Sequence, residues 1–115
     1  MTTKRGDIVL VMFPDSDLRT AKLRPALVVQ ANNLNSGLAQ TVVTMISSNL
    51  RRAGHPSRVQ IQIASPAGKQ TGLHADSVIL TDNMRTVLDS GIRQKIGVWP
   101  DMPLVDAALR HTLAV

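Results

Sequence analysis

The sequence predicts a mostly-β (α+β) fold: a small curled sheet or barrel closed off by one C-terminal helix. Short apolar, β-branched runs alternate with turn-rich stretches through most of the chain, and the spacing becomes helical only after Asp101. The chain has 115 residues, which fits one domain over 1–115. A hydrophobic content of 43% is sufficient for one core.

Taken in order, residues Asp7–Phe13 are apolar and largely β-branched and read as a buried strand. A long polar loop follows over Pro14–Lys22, and long loops in small domains are often functional. Pro25–Gln30 is the second strand, with its proline at the opening, where a strand tolerates one. Asn32–Gly37 is rich in turn residues. Gln40–Ser47 is the third strand, and Ser48–Ser57, with Gly54 and Pro56, is a loop. Arg58–Ile63 alternates polar and apolar residues, as a half-buried strand does. Ser65–Gly68 and Gly72 mark turns, Ser77–Thr81 is a further strand, and Arg85–Leu88 is a short one. From Asp101 or Met102 a helix begins, with Pro103 in its permissive first turn and Leu104, Val105, Ala108, Leu109 and Leu113 at helical spacing. There is no internal repeat or low-complexity tract.

Composition narrows the chemistry. Without cysteine there is no disulfide, thiolate metal site or cysteine nucleophile. Without glutamate, any carboxylate in acid–base work is an aspartate. Phe13 and Trp99 are the only aromatic residues counted as Phe, Trp or Tyr, so base stacking is not the chief mode of nucleic-acid binding. The apolar run over residues 8–13 is too short for a signal core or a membrane span, and the expected location is cytoplasmic, with no membrane partner. The net charge is +5, and its placement is uneven: residues 1–58 carry eight Lys/Arg against three Asp, whereas residues 59–115 carry five of each. A one-sided basic field suits a polyanion, although a basic, soluble protein of no such function has the same charge.

Some apparent motifs dissolve on inspection. Arg5-Gly6-Asp7 spells an adhesion tripeptide but sits at a strand entrance, where turn chemistry accounts for it. Gly68-Lys69 lacks the earlier glycine and adjacent Ser/Thr of a phosphate-binding loop. His55, His74 and His111 show no metal-ligand spacing.

Three segments carry candidate chemistry: Lys22–Val29, Met45–Asn49 and Gly72–Thr86. Arg24 is followed by a rigid proline that helps to aim it, and its forked, permanent charge suits a phosphate. Ser47 ends a strand and offers a hydroxyl donor. Asp82 and Arg85 lie close together after a strand. Each has a bland reading alone: a solvated arginine, a turn serine, a surface ion pair.

Together and in this order, the segments resemble the MazF/PemK family of toxin endoribonucleases. The resemblance rests on Arg5-Gly6-Asp7-Ile8-Val9, Arg24-Pro25-Ala26-Leu27-Val28, Ser47-Ser48, and Asp76-Ser77-Val78 through Asp82-Asn83-Met84-Arg85-Thr86. It implies an SH3-like barrel that pairs as a homodimer. The implied activity is that of an mRNA interferase: metal-free, cofactor-free, sequence-specific cleavage of single-stranded RNA by 2′-hydroxyl attack. The products are a cyclic phosphate and a 5′-hydroxyl. A cognate antitoxin protein is the implied partner, with DNA contacted only through it. By the same resemblance Arg24 stabilises charge on the phosphate and Ser47 donates a hydrogen bond. Arg19, Lys22, Asn49 and Arg85 are the expected RNA-binding side chains.

There are two departures from the family pattern. Ser47 stands where threonine is usual, and Leu80 stands where some members carry an arginine two residues before the acidic position. The general base is therefore open: Asp82 comes first, and His55 or His74 serves only if the fold brings one near. A gyrase-inhibiting toxin of the same fold is the alternative, but the aromatic-glycine tail of such toxins is missing from His111-Thr112-Leu113-Ala114-Val115. A simple RNA-binding barrel is a third reading. Base specificity is expected in the loops Asp15–Lys22 and Ser48–Ser57.

Overall fold

The computed structural model describes residues 2–14, 17 and 19–115. Asp15, Ser16 and Leu18 of the first expected specificity loop lie outside the described residues. The strands are β1 (Asp7–Pro14), β2 (Ala21–Val28), β3 (Gln40–Ser47), β4 (Arg58–Ile61), β5 (Ser77–Leu88) and β6 (Ile92–Val98), and the helix α1 covers Met102–Leu113. All strand pairs are antiparallel, in the order β4-β5-β3-β2-β1-β6. This is the expected mostly-β architecture with one terminal helix.

Continuous apolar runs in β1, β3 and the second half of β2 make sense because both faces of these stretches are buried. One face sends Ile8, Leu27, Ile46, Ile61 and Ile79 into a core with Trp99, Val105 and Ala108 of the C-terminal region. The opposite face sends Val9, Val11, Ala26, Val28 and Val43 into a second cluster. A sheet buried on both faces must curl, and bulges in the β1–β6 ladder at Ile8/Val9 and Leu10/Val11 add to the bend.

Curling brings the segment after β4 against β6. A Cβ on Gly72, whose φ is +72°, would lie 2.0 Å from the Ile96 carbonyl oxygen. A Cβ on Gly97 would lie 2.4 Å from the Gln70 carbonyl oxygen. The contact between the sheet's two ends is therefore backbone against backbone, and only glycine allows it. Gly68, read above as part of a turn, packs in the same way against Gln62.

The Arg5-Gly6-Asp7 turn fastens three elements. Gly6, at φ +96°, donates its N–H to Val28 and accepts one from Trp99. Asp7 is buried, accepting the Lys4 N–H at 2.9 Å and pairing with Lys95 at 3.2 Å. Arg5 donates to the Val29 carbonyl at 3.0 Å and to Asp106 of α1 at 2.6 Å.

Several sequence boundaries are corrected. β2 starts at Ala21, so Pro25 lies inside the strand; it is tolerated because β3 pairs only from Ala26 onward, leaving that stretch with one neighbour. β4 ends at Ile61 rather than Ile63. The strand at Ser77–Thr81 and the short one at Arg85–Leu88 are one strand with an irregularity between them. β6 was not expected, since Arg93-Gln94-Lys95 breaks its apolar pattern; all three are exposed on an edge strand. In α1 the buried stripe is Val105 and Ala108, with Met102 and Leu109 packed beside it. Leu104 and Leu113 are each 51% exposed and turn away from the sheet. No helix among the described residues is long and apolar enough to cross a membrane.

Replacing Gly72 by alanine forces both a left-handed backbone and a backbone collision. The expected cost is about 2–4 kcal/mol of folding stability, read from the urea unfolding midpoint.

Candidate RNA-binding cleft

One cleft of about 700 Å³ gathers the three separated segments. Arg24 and Pro25 come from β2, Ser47 and Ser48 from the end of β3, and Asn83 and Arg85 from β5. Leu73 and His74, on the segment held by the Gly72 contact, form another wall with Ile96 of β6. Arg52 enters from the loop after β3. The cleft's charged and titratable lining among the described residues is three guanidiniums and one imidazole, with no carboxylate.

Ser47 is held where its chemistry is useful. Its hydroxyl oxygen accepts the Asn49 N–H at 3.1 Å, which leaves the hydroxyl proton to donate elsewhere. Asn49 itself is turned to a local task. Its side chain accepts the Arg51 N–H at 3.2 Å and caps the single 3₁₀ turn Leu50–Arg52. That turn carries Arg52 to the cleft, while Asn49 does not line it. An asparagine ahead of two arginines was the available sequence signal.

Arg85 is braced on two sides. Its Nε donates to the Asn83 side chain at 3.2 Å, and its guanidinium lies 5.9 Å from the centre of the Phe13 ring. Cation–π stacking and the hydrogen bond limit the freedom of Arg85 at the cleft wall.

Asp82 is placed differently from the expectation. On a regular strand residues two apart share a face, so Asp82 would follow Leu80 into the cleft. The β3–β5 ladder pairs Met45 with Leu80 but Thr44 with Met84, so Thr81, Asp82 and Asn83 form a bulge. The shift exchanges the faces, so that Asn83 and Arg85 line the cleft with Leu80 and Asp82 does not. Asp82 instead pairs with Arg58 of β4 at 2.8 Å. That hydrogen bond, opposed by partial burial and helped by the Arg58 charge, lowers the Asp82 carboxyl below the ordinary carboxylate value.

Arg19 and Lys22 are exposed and stand outside the cleft lining. His55 lies away from it, with Nδ1 2.7 Å from the Ser57 hydroxyl and its ring edge-on to His111. Of the three histidines, His74 alone reaches the cleft.

The depressed Asp82 carboxyl contributes stability above the ordinary carboxylate pKa, and that contribution is lost as pH falls through its lowered folded value. The pair is 39% exposed on the Asp82 side, so water screens it and the effect is small. Asp82→Asn is therefore expected to lower the thermal midpoint slightly at neutral pH, with the difference from wild type fading as pH falls through the lowered Asp82 value.

Residues 4–113 match the family model of the PemK-like, MazF-like toxin of type II toxin–antitoxin systems. Endoribonuclease EndoA of Bacillus subtilis is 31% identical over 118 residues, covering 100% of this chain and 97% of the relative. In fold, the chain is similar to an endoribonuclease from Mycobacterial species, with a TM-score of 0.73, 20% identity, and 100% and 94% of the two chains covered. It is also similar to a MazE–MazF structure from Deinococcus radiodurans, with a TM-score of 0.72, 18% identity, and 100% and 98% covered. Nearly the whole chain thus matches one family, and the protein belongs to the PemK-like, MazF-like toxins of type II toxin–antitoxin systems.

Proposed function

We propose that the chain is a metal-independent, sequence-specific endoribonuclease toxin of the cytoplasm that cuts single-stranded RNA. The observation that carries this reading is the cleft itself. Arg24, Ser47 and Arg85, far apart in sequence, line one groove with Arg52 and His74 and no described carboxylate. Such a lining attracts a phosphodiester and repels a divalent cation.

In the proposed reaction the ribose 2′-oxygen bonds to phosphorus while the bond from phosphorus to the 5′-oxygen breaks. The products are a 2′,3′-cyclic phosphate and a 5′-hydroxyl. Negative charge grows on the non-bridging oxygens, and Arg24 and the Ser47 hydroxyl are the groups suited to stabilise it. Arg85 and Arg52 hold neighbouring phosphates. The 2′-hydroxyl proton needs an acceptor within reach, and the leaving 5′-oxygen needs a proton to become the 5′-hydroxyl, so one group can take the first proton and return it. Asp82 is turned away and committed to Arg58, so His74, on the cleft wall, takes first place as proton carrier. Arg19 and Lys22, exposed beside the β1–β2 connection, suit outlying phosphates rather than the reacting one. Asn49 acts through the turn that presents Arg52.

The antitoxin and the homodimer belong to the same proposal. A mycobacterial endoribonuclease of similar fold has been solved in complex with its cognate antitoxin. The corresponding expectation is that a cognate antitoxin covers the basic cleft of a dimer, and that any contact with DNA runs through the antitoxin.

The test is incubation with a long single-stranded RNA in excess EDTA, followed by mapping of the cut ends. Cleavage with cyclic-phosphate ends is expected, and Arg24→Ala should abolish it. His74→Gln should lower kcat about 10²–10⁴-fold. Intact RNA across substrates and buffers would overturn the nuclease reading, and a requirement for added metal would overturn the mechanism.

A further inference from the structure

The bulge in β5 is anchored from three directions. Thr44 of β3 is fully buried, and its hydroxyl bonds to the Leu80 carbonyl on one side of the bulge and lies 3.4 Å from the Asn83 carbonyl on the other. The Thr81 hydroxyl bonds to the Ser57 carbonyl and stands 2.7 Å from the Thr112 hydroxyl of α1. Asp82 is held by Arg58. What the bulge presents to the cleft is Asn83, and Asn83 in turn holds Arg85.

A buried hydroxyl spanning both ends of an insertion does more than fill space, because it fixes the path of the chain between them. An isosteric valine would keep the packing and remove the hydroxyl's hydrogen bond to the Leu80 carbonyl and its contact with the Asn83 carbonyl. We infer that Thr44 is a positioning residue for RNA binding, which sets the Asn83–Arg85 pair so that the Arg85 guanidinium meets a phosphate beside the one being cut. The relay runs from the Thr44 hydroxyl to the bulge, from the bulge to Asn83, and from Asn83 to Arg85. Arg24 lies on β2, and Ser47, at the end of β3, is held by its own bond from the Asn49 N–H and not by the bulge, so the relay governs how tightly RNA is held rather than how fast the held RNA reacts. This inference rests on the nuclease reading of the cleft, but its core is a statement about RNA affinity.

The experiment is a double-mutant cycle on Thr44 and Arg85, using an oligoribonucleotide that spans a mapped cut site. Thr44→Val and Arg85→Ala are each expected to raise KM about tenfold with kcat little changed, and the double variant should be no worse than either single one. Thr44→Ser, which keeps the hydroxyl, should restore KM. An unchanged KM in Thr44→Val, or additive losses in the double variant, would overturn the inference. If valine does not fold, Thr44→Ala removes the same hydroxyl without added bulk and enters the same cycle. Should wild type bind but not cut RNA, the nuclease reading fails and the cycle is read in Kd for long single-stranded RNA, where the same non-additivity is required. Failure of wild type to bind RNA at all would overturn both.

Discussion

The close backbone approach between the Gly72 segment and β6 is the constraint on which the rest of this structure depends. Six antiparallel strands could lie as an open twisted sheet with β4 and β6 as bare edges. Contact of Gly72 with Ile96, and of Gly97 with Gln70, instead bends one end of the sheet onto the other. The bend buries both faces of β1, β3 and the second half of β2, so an almost wholly aliphatic composition suffices for the interior. It also creates the cleft. His74 and Leu73 face Arg24 and Ser47 only because the segment bearing them is pinned to β6.

A second constraint acts within that frame. Side chains on a strand alternate strictly, so a bulge decides which half of the following residues points where. In β5 it sends Asn83 and Arg85 into the cleft and hands Asp82 to Arg58. The electrostatic consequence is large in kind. A carboxylate in the cleft would oppose a polyanion and invite a cation, whereas the observed lining of guanidiniums and an imidazole does the reverse. The Arg5 link to Asp106 and the Thr81–Thr112 contact then tie the helix to the sheet and to the bulge.

Much of the fold was legible because it follows short-range rules. The strand at Gln40–Ser47 and the helix from Met102 were visible in apolar spacing and a helix-starting proline. What resisted reading was long-range. β6 looks polar because it is an edge strand, and Pro25 looks like a strand opening because its single-neighbour setting depends on where β3 begins to pair. The leucines of α1 appeared equivalent by spacing, yet the helix rotates Val105 and Ala108 inward and leaves Leu104 and Leu113 outside.

The sequence by itself determined the mostly-β class, the aliphatic core, the basic first half and the ordered residues that mark the family. It also identified Arg24, Ser47 and Arg85, which the fold does bring to one cleft. Only the tertiary structure decided that His74 and Arg52 join them and that Asp82 does not. The reason is physical: residue type and local period are properties of neighbouring positions, whereas the facing of a side chain after a bulge depends on cross-strand register. That register, like the glycine contact that closes the sheet, exists only once distant strands have met.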